Sequence, residues 1–310
     1  MNTPHKSHLI KQALALITLA VTLTGCFNMP PPGDSNYNKG VDLYDQGKYA
    51  EAIEEYKLEL RHNPDNQFAR YNLAVAHHDL GHDDEAEKLY REILKSTEDT
   101  NSRINLSTIY MARGQEREAF EELKLASKNN SDSPKPLSVL GEYQERKSMF
   151  SEAEKNYHAA IRIDDQHALS HYRLGRLYLS QGKTDEAITL INTAISLDSE
   201  IVMFYETQSK AYIQDGSNAQ AINMLEQAST LEPENINYYV QLGDLYKEEG
   251  DNQNAVKNYW EAIDVCKSQP SCQDDPAVHR RLEETLVLLT KEAQEKANRG
   301  RSIAKTNSQP

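Results

Sequence analysis

Cysteine and tryptophan are nearly missing from this chain, which has three of the former and one of the latter in 310 residues. Three thiols cannot staple a chain of this length, so packing must hold it together rather than a disulfide framework. Positive charge is also short: 34 Lys and Arg stand against 48 Asp and Glu, a net charge of −14. Such a surface repels phosphate backbones, which excludes nucleic acid as a main partner. Long apolar runs are lacking except for one, Ala13 to Leu23, which is too short to span a bilayer as a helix. No glycine-rich phosphate loop, nucleophile elbow or zinc-binding helix motif occurs. His77, His78 and His82 cluster beside Asp83 and Asp84, but Gly81 breaks the helix that would aim His78 and His82 at one ion. The chain is therefore expected to have no catalytic residue, no cofactor and no metal, and a metal-dependent role through these histidines is the least favoured alternative.

What the chain has is repetition. Glycine recurs at Gly47, Gly81, Gly114, Gly182, Gly216 and Gly250, with Ser148 in the one gap, at steps of 34 residues and a single step of 33. Five residues after each stands an alanine: Ala52, Ala86, Ala119, Ala153, Ala187, Ala221 and Ala255. On both sides of each turn, apolar residues recur at helical spacing, so every unit reads as two short amphipathic helices. A hairpin of that size cannot bury both stripes alone and needs a like neighbour on each side. The alanines mark where the second helix crosses the first, since a larger side chain would hold the two apart.

With this period, the chain resembles the tetratricopeptide repeat family over roughly residues 33–268. The small residue of the first helix is Gly40, Ala74, Ser107, Gly141, Gly175, Ser209 and Gly243. The large residue of the second is Tyr56, Tyr90, Leu123, Tyr157, Ile191, Leu225 and Tyr259. The family's early tryptophan is absent, and its terminating proline survives only at Pro64 and Pro233. The resemblance implies an all-α fold: an α-solenoid, a right-handed superhelix of seven helix-turn-helix units, spanning 36–268. The units run about 33–66, 67–99, 100–133, 134–167, 168–201, 202–235 and 236–268. Residues 276–296, with Leu282, Leu286 and Leu289 on one side, read as a capping helix over the last stripe. Residues 297–310 lack apolar periodicity and are expected to be disordered.

Residues 1–25 read as a signal peptide, with Lys6 and Lys11 ahead of the apolar run. Leu23-Thr24-Gly25-Cys26 resembles the bacterial lipoprotein box, which implies cleavage before Cys26 and acylation of that cysteine; an ordinary signal peptide that contains a cysteine is the alternative. Phe27 in place of an aspartate favours the periplasmic side of the outer membrane, with the bilayer as a partner through the acyl chains. Residues 26–35, with three consecutive prolines, form a tether of about 3 Å per residue. Cys266 and Cys272 close the last repeat, and an oxidising compartment favours a disulfide between them over free thiols.

In the tetratricopeptide family the first helices line the inner wall of the superhelix. Projected onto this chain, the wall carries Tyr37, Val41 and Tyr44, then Phe68, Tyr71, Val75 and His78, then Ile104, Thr108 and Met111. Further on it becomes mixed and charged, with Glu142, Glu145, Tyr172, Arg176, Glu206, Lys210 and Asp244. Asn38, Asn72 and Asn105 recur at one place in the first three units, lapsing at Val139 and Arg173. This resembles the asparagine ladder that holds an extended peptide by its main chain, since an amide both donates and accepts. Amides bonded locally or to water are the alternative. The expected peptide groove is thus Asn38, Asn72, Asn105, Tyr37, Tyr44, Phe68, Tyr71, Met111, Tyr172 and Arg176. The reading is an envelope scaffold without enzymatic activity. It binds extended segments or other envelope proteins, like the tetratricopeptide lipoproteins that pilot pilus or secretin assembly or adapt peptidoglycan hydrolases. A self-associating structural lipoprotein, with a second copy as partner, is the rival.

Overall fold

The structure, a computed structural model, describes residues 35–129, 132–268 and 276–306. The expectations for the signal peptide, for Cys26 and its tether up to residue 34, for Cys272 and for residues 307–310 lie outside the described residues. Two compact units divide the chain, 1–89 and 90–310.

Fifteen helices make up the described residues, and no strand occurs among them. In the first unit these are α1 (Asn36–Asp45), α2 (Tyr49–His62) and α3 (Gln67–Asp79), with α4 (Asp83–Ser96) beginning there. The second holds α5 (Thr100–Ala112), α6 (Glu116–Asn129), α7 (Pro134–Arg146), α8 (Phe150–Ile163), α9 (Ala168–Ser180) and α10 (Thr184–Leu197). It continues with α11 (Val202–Asp215), α12 (Asn218–Leu231), α13 (Ile236–Glu248), α14 (Asn252–Ser268) and α15 (Pro276–Thr306). Within each unit helices pack in consecutive antiparallel pairs, and α15 packs on α14. The fold class is the all-α array of hairpins that the sequence implied.

The turns are set by one residue each. All six turn glycines are left-handed, with φ from 73° to 80°, and Ser148 takes the same conformation at φ 59°. That twist aims the next backbone N–H at a carbonyl five residues back. Lys48 to Leu43, His82 to His77, Gln115 to Tyr110, Met149 to Gln144, Lys183 to Tyr178, Ser217 to Tyr212 and Asp251 to Tyr246 all fall at 2.8–3.0 Å. These bonds satisfy carbonyls that the end of a helix leaves orphaned. Several first helices open on a polar cap, such as Asn66 accepting from the Ala69 N–H at 3.1 Å and Asp99 from Ser102 at 2.6 Å.

Packing is tightest where the two helices of a hairpin cross. All seven repeat alanines are fully buried. A Cβ on Gly141 would stand 2.6 Å from the Tyr157 ring, and one on Gly40 2.6 Å from Tyr56, so glycine in the first helix makes room for tyrosine in the second. Among the described residues the buried side chains form several clusters, shared between neighbouring hairpins. Ala153 and Tyr157 of α8 join Leu174 and Leu177 of α9, while Ile191 and Ala194 of α10 join Tyr172 of α9 and Phe204 of α11. In the first unit Ala52, Ile53 and Tyr56 of α2 pack with Leu73 and Ala76 of α3.

The C-terminal helix departs from expectation in two ways. It runs to Thr306, beyond the 276–296 expected and into the stretch read as disordered. Apolar periodicity governs packing, whereas Ala297, Arg299, Arg301, Ala304 and Lys305 are good helix formers, with cations suited to a helix C-terminus. Its packing face is Val278, Leu282 and Thr285, against Ala255, Tyr259 and Ile263 of α14; Leu286 is 39% exposed. Cys266, at the end of α14, is buried and disulfide-bonded.

Candidate functional site

The faces of the first helices are the part of the array not consumed by hairpin packing, and each unit has its own. On α3, Ala69, Leu73 and Ala76 are buried in the core, while Phe68, Tyr71, Val75 and His78 share another side and stay half-exposed. Facing them across the first unit, α1 presents Tyr37, Val41 and Tyr44, which lean on the Ala52–Tyr56 cluster. The Tyr44 hydroxyl donates to the Asp79 carboxylate, and its ring sits 5.1 Å from that of Tyr49. Burial and this carboxylate push the Tyr44 phenol well above its usual range, and burial likewise raises Asp79.

The three asparagines behave differently from a row of open amides. Asn72 Nδ2 donates to the Tyr37 hydroxyl at 3.4 Å, while Asn105 Nδ2 donates to the Tyr90 hydroxyl at 3.0 Å. Asn38 lies in the first turn of α1, where its backbone N–H is capped by Ser35. The same place in later repeats carries the same kind of bond. Arg173 donates to Ser138 Oγ at 2.8 Å, and Thr207 meets the Tyr172 hydroxyl at 3.2 Å, each spanning 35 residues as the Asn72–Tyr37 pair does. Within each unit these bonds are polar links between repeats. Amides at Asn72 and Asn105 spend a donor on them.

In the second unit a charged network accompanies these bonds. Arg173 pairs with Glu142 at 2.6 Å, and Arg176 straddles both oxygens of Glu145 at 3.1 and 3.2 Å. Glu145 also accepts from the Tyr157 hydroxyl at 2.8 Å, a buried polar end satisfied by the facing helix. Arg176 lies 5.8 Å from the Tyr172 ring, and the two acids hold its guanidinium firmly charged. Tyr172 itself is only 5% exposed, stacked 4.8 Å from Phe204, so it serves the inter-repeat core rather than an open wall. Met111 is half-exposed near the end of α5.

Among the described residues no group of three or more metal-ligating side chains occurs. It is His77, not His78, that meets His82, with Nδ1 atoms 3.4 Å apart. The turn rotates the chain so that a spacing of five brings the rings together. Burial, with Lys57 and His82 nearby, lowers the His77 pKa. The sequence reading passed over Lys135 and Ser138, although their spacing from Glu142 and Glu145 already sets all four on one face of α7.

Three stretches of the chain match family models described as tetratricopeptide repeat, at residues 37–101, 147–200 and 236–269. Over 98 residues the chain is 31% identical to the photosystem I assembly protein Ycf3 of Cyanophora paradoxa, covering 29% of this chain and 54% of that protein. It thus spans about half the length of that curated relative. Among solved structures it is similar to a tetratricopeptide repeat protein from Parabacteroides merdae, with 21% identity, TM-score 0.52, and coverage of 82% of this chain and 100% of that one. It is also similar to the C-terminal part of a repeat protein from Cytophaga hutchinsonii, at 17% identity and TM-score 0.53 over 79% and 99% of the two chains. A third likeness is to the APC/C hetero-tetramer Cut9-Hcn1, at 14% identity and TM-score 0.60 over 83% and 50%. At such identities the likeness is one of fold.

Proposed function

We propose, from the premise of a chain built of tetratricopeptide repeats, that it is a non-enzymatic scaffold of the bacterial envelope. Its first-helix faces bind extended segments or partner proteins, and so assemble or localise an envelope complex. The observation that carries the reading is the face of α3. Ala69, Leu73 and Ala76 are buried, while Phe68, Tyr71 and Val75 keep part of their apolar surface exposed in a row. Rigid aromatics lose little entropy on contact and dominate many interfaces.

The anchor in this reading is lipid on Cys26, on the periplasmic side of the outer membrane. Support for it is the residue pattern Leu23-Thr24-Gly25-Cys26 behind an apolar run. Among the described residues no helix is long and apolar enough to cross a membrane. The process served, whether pilus or secretin assembly or peptidoglycan turnover, is the finer part of the proposal.

Two variants test the halves separately. Cys26→Ser is expected to move the chain from the membrane to the soluble fraction with its melting curve unchanged. Tyr71→Ala is expected to weaken retention of a co-purifying partner by about 1–2 kcal/mol while helicity stays the same. Retention equal to wild type would move the binding surface off the first helices of that unit.

A further inference from the structure

In the first unit two bonds join α1 to α3: Asn72 donates to the Tyr37 hydroxyl at 3.4 Å, and the Tyr44 hydroxyl donates to Asp79. Each spans 35 residues, so the two helices lie side by side and run parallel. Along α3, Phe68, Tyr71, Val75 and His78 follow at spacings of three, four and three, and all four are half-exposed. Phe68 and His78 stand ten residues apart, which is about 15 Å of helix. The result is a narrow strip of rings and apolar carbon of known length.

The chain enters this unit at Ser35, where the backbone is extended and the hydroxyl accepts from the Asn38 N–H at 3.3 Å. Directly before it stand Phe27-Asn28-Met29-Pro30-Pro31-Pro32-Gly33-Asp34. Consecutive prolines favour the polyproline helix at about 3.1 Å per residue, so residues 28–32 match the strip in length. Gly33 and Asp34 are suited to reversing the chain, glycine by its freedom at positive φ and aspartate by bonding its own backbone. Residues 27–33 carry no charge, so a surface of net charge −14 does not repel them. Aromatic-lined grooves take proline-rich segments because such a segment is already ordered and loses little entropy on docking. Attachment to α1 keeps the segment at an effective concentration on the order of millimolar, at which even a weak contact fills the strip.

We propose that residues 27–34 fold back at Gly33 and Asp34 and lie along the α3 strip as its resting occupant, which a partner has to displace. This rests on the binding reading above and adds the competitor built into the chain. A face that is open only part of the time binds its partner more weakly in proportion to the open fraction, so the proline segment sets the threshold for binding.

The test uses the purified full chain in detergent, without partner, carrying a benzophenone amino acid at one site: Val75 on the strip, or Lys57 on α2. Irradiation is expected to join the Val75 site to residues 27–32 of the same chain, at least about fivefold more than the Lys57 site, as read by peptide mass. The triple variant Pro30→Ser, Pro31→Ser, Pro32→Ser keeps the length and the attachment, so mere nearness is unchanged. Its Val75 yield is expected to fall at least about fivefold at equal helicity. An equal yield from the triple variant overturns the proposal. So does a Val75 adduct at twice the chain mass in place of the internal one, which would seat a second copy on the strip. Lack of the internal adduct, while Tyr71→Ala still weakens partner retention, overturns the fold-back and leaves the binding reading intact. The internal adduct together with wild-type retention by Tyr71→Ala supports the fold-back and overturns the binding reading alone.

Discussion

At the scale of single residues, the array is governed by places where only one side-chain size or backbone twist fits. Gly141 and Tyr157 are such a pair: the tyrosine fills the space that a Cβ on the glycine would occupy, and its hydroxyl reaches through to Glu145. Ser148 is the opposite case, a side chain where the backbone asks for none. Its φ of 59° matches the six turn glycines, and a residue with a Cβ is strained there. Ser148→Gly is therefore expected to raise stability by about 0.5–1 kcal/mol, read as a higher urea midpoint with unchanged slope. A lower midpoint would mean that the serine hydroxyl contributes more than the strain costs.

These residues also show what a sequence can reveal. The turn positions and the crossing alanines were legible because each acts through its own backbone angle or its own bulk, needing no knowledge of a distant partner. The asparagine row was legible as a row, but its use was not. Whether Asn72 holds a ligand or the Tyr37 hydroxyl depends on a side chain 35 residues away. The break at Gly81 was legible too, but not which ring the left-handed turn brings to His82; it is His77. Tyr172 had the spacing of a wall residue, yet Phe204 of a later helix covers it.

At the scale of elements, each helix is stabilised mainly by its neighbour, so the last hairpin needs a cover. α15 supplies it through Val278 and Leu282, which close over Ala255, Tyr259, Ala262 and Ile263. Its existence was legible from leucine spacing, but its face was not, because Thr285 rather than Leu286 turns inward. Leu282→Ala is expected to cost about 2–4 kcal/mol locally. In a linear array that loss stays near its site, so amide exchange should quicken in α13–α15 while α7 and α8 keep their protection. Uniform loss of protection along residues 90–268 would show instead that the second unit melts as one body.

At the scale of the whole molecule, the repeated hairpins form the array, and the lipid anchor and the first-helix contacts are what we propose for it. The second helices carry the alanines and tyrosines that hold hairpins together, and their outer sides are solvated charge such as Glu54 and Lys57. Partner contact should therefore fall on one kind of helix. The direct measurement places a photo-crosslinking amino acid, one site per variant, at Tyr71, Thr108 and Lys210 of first helices and at Lys57, Lys155 and Asn223 of second helices, in cells. Adducts to a partner protein from the first group and none from the second are the predicted result. Adducts confined to the second group would contradict the account.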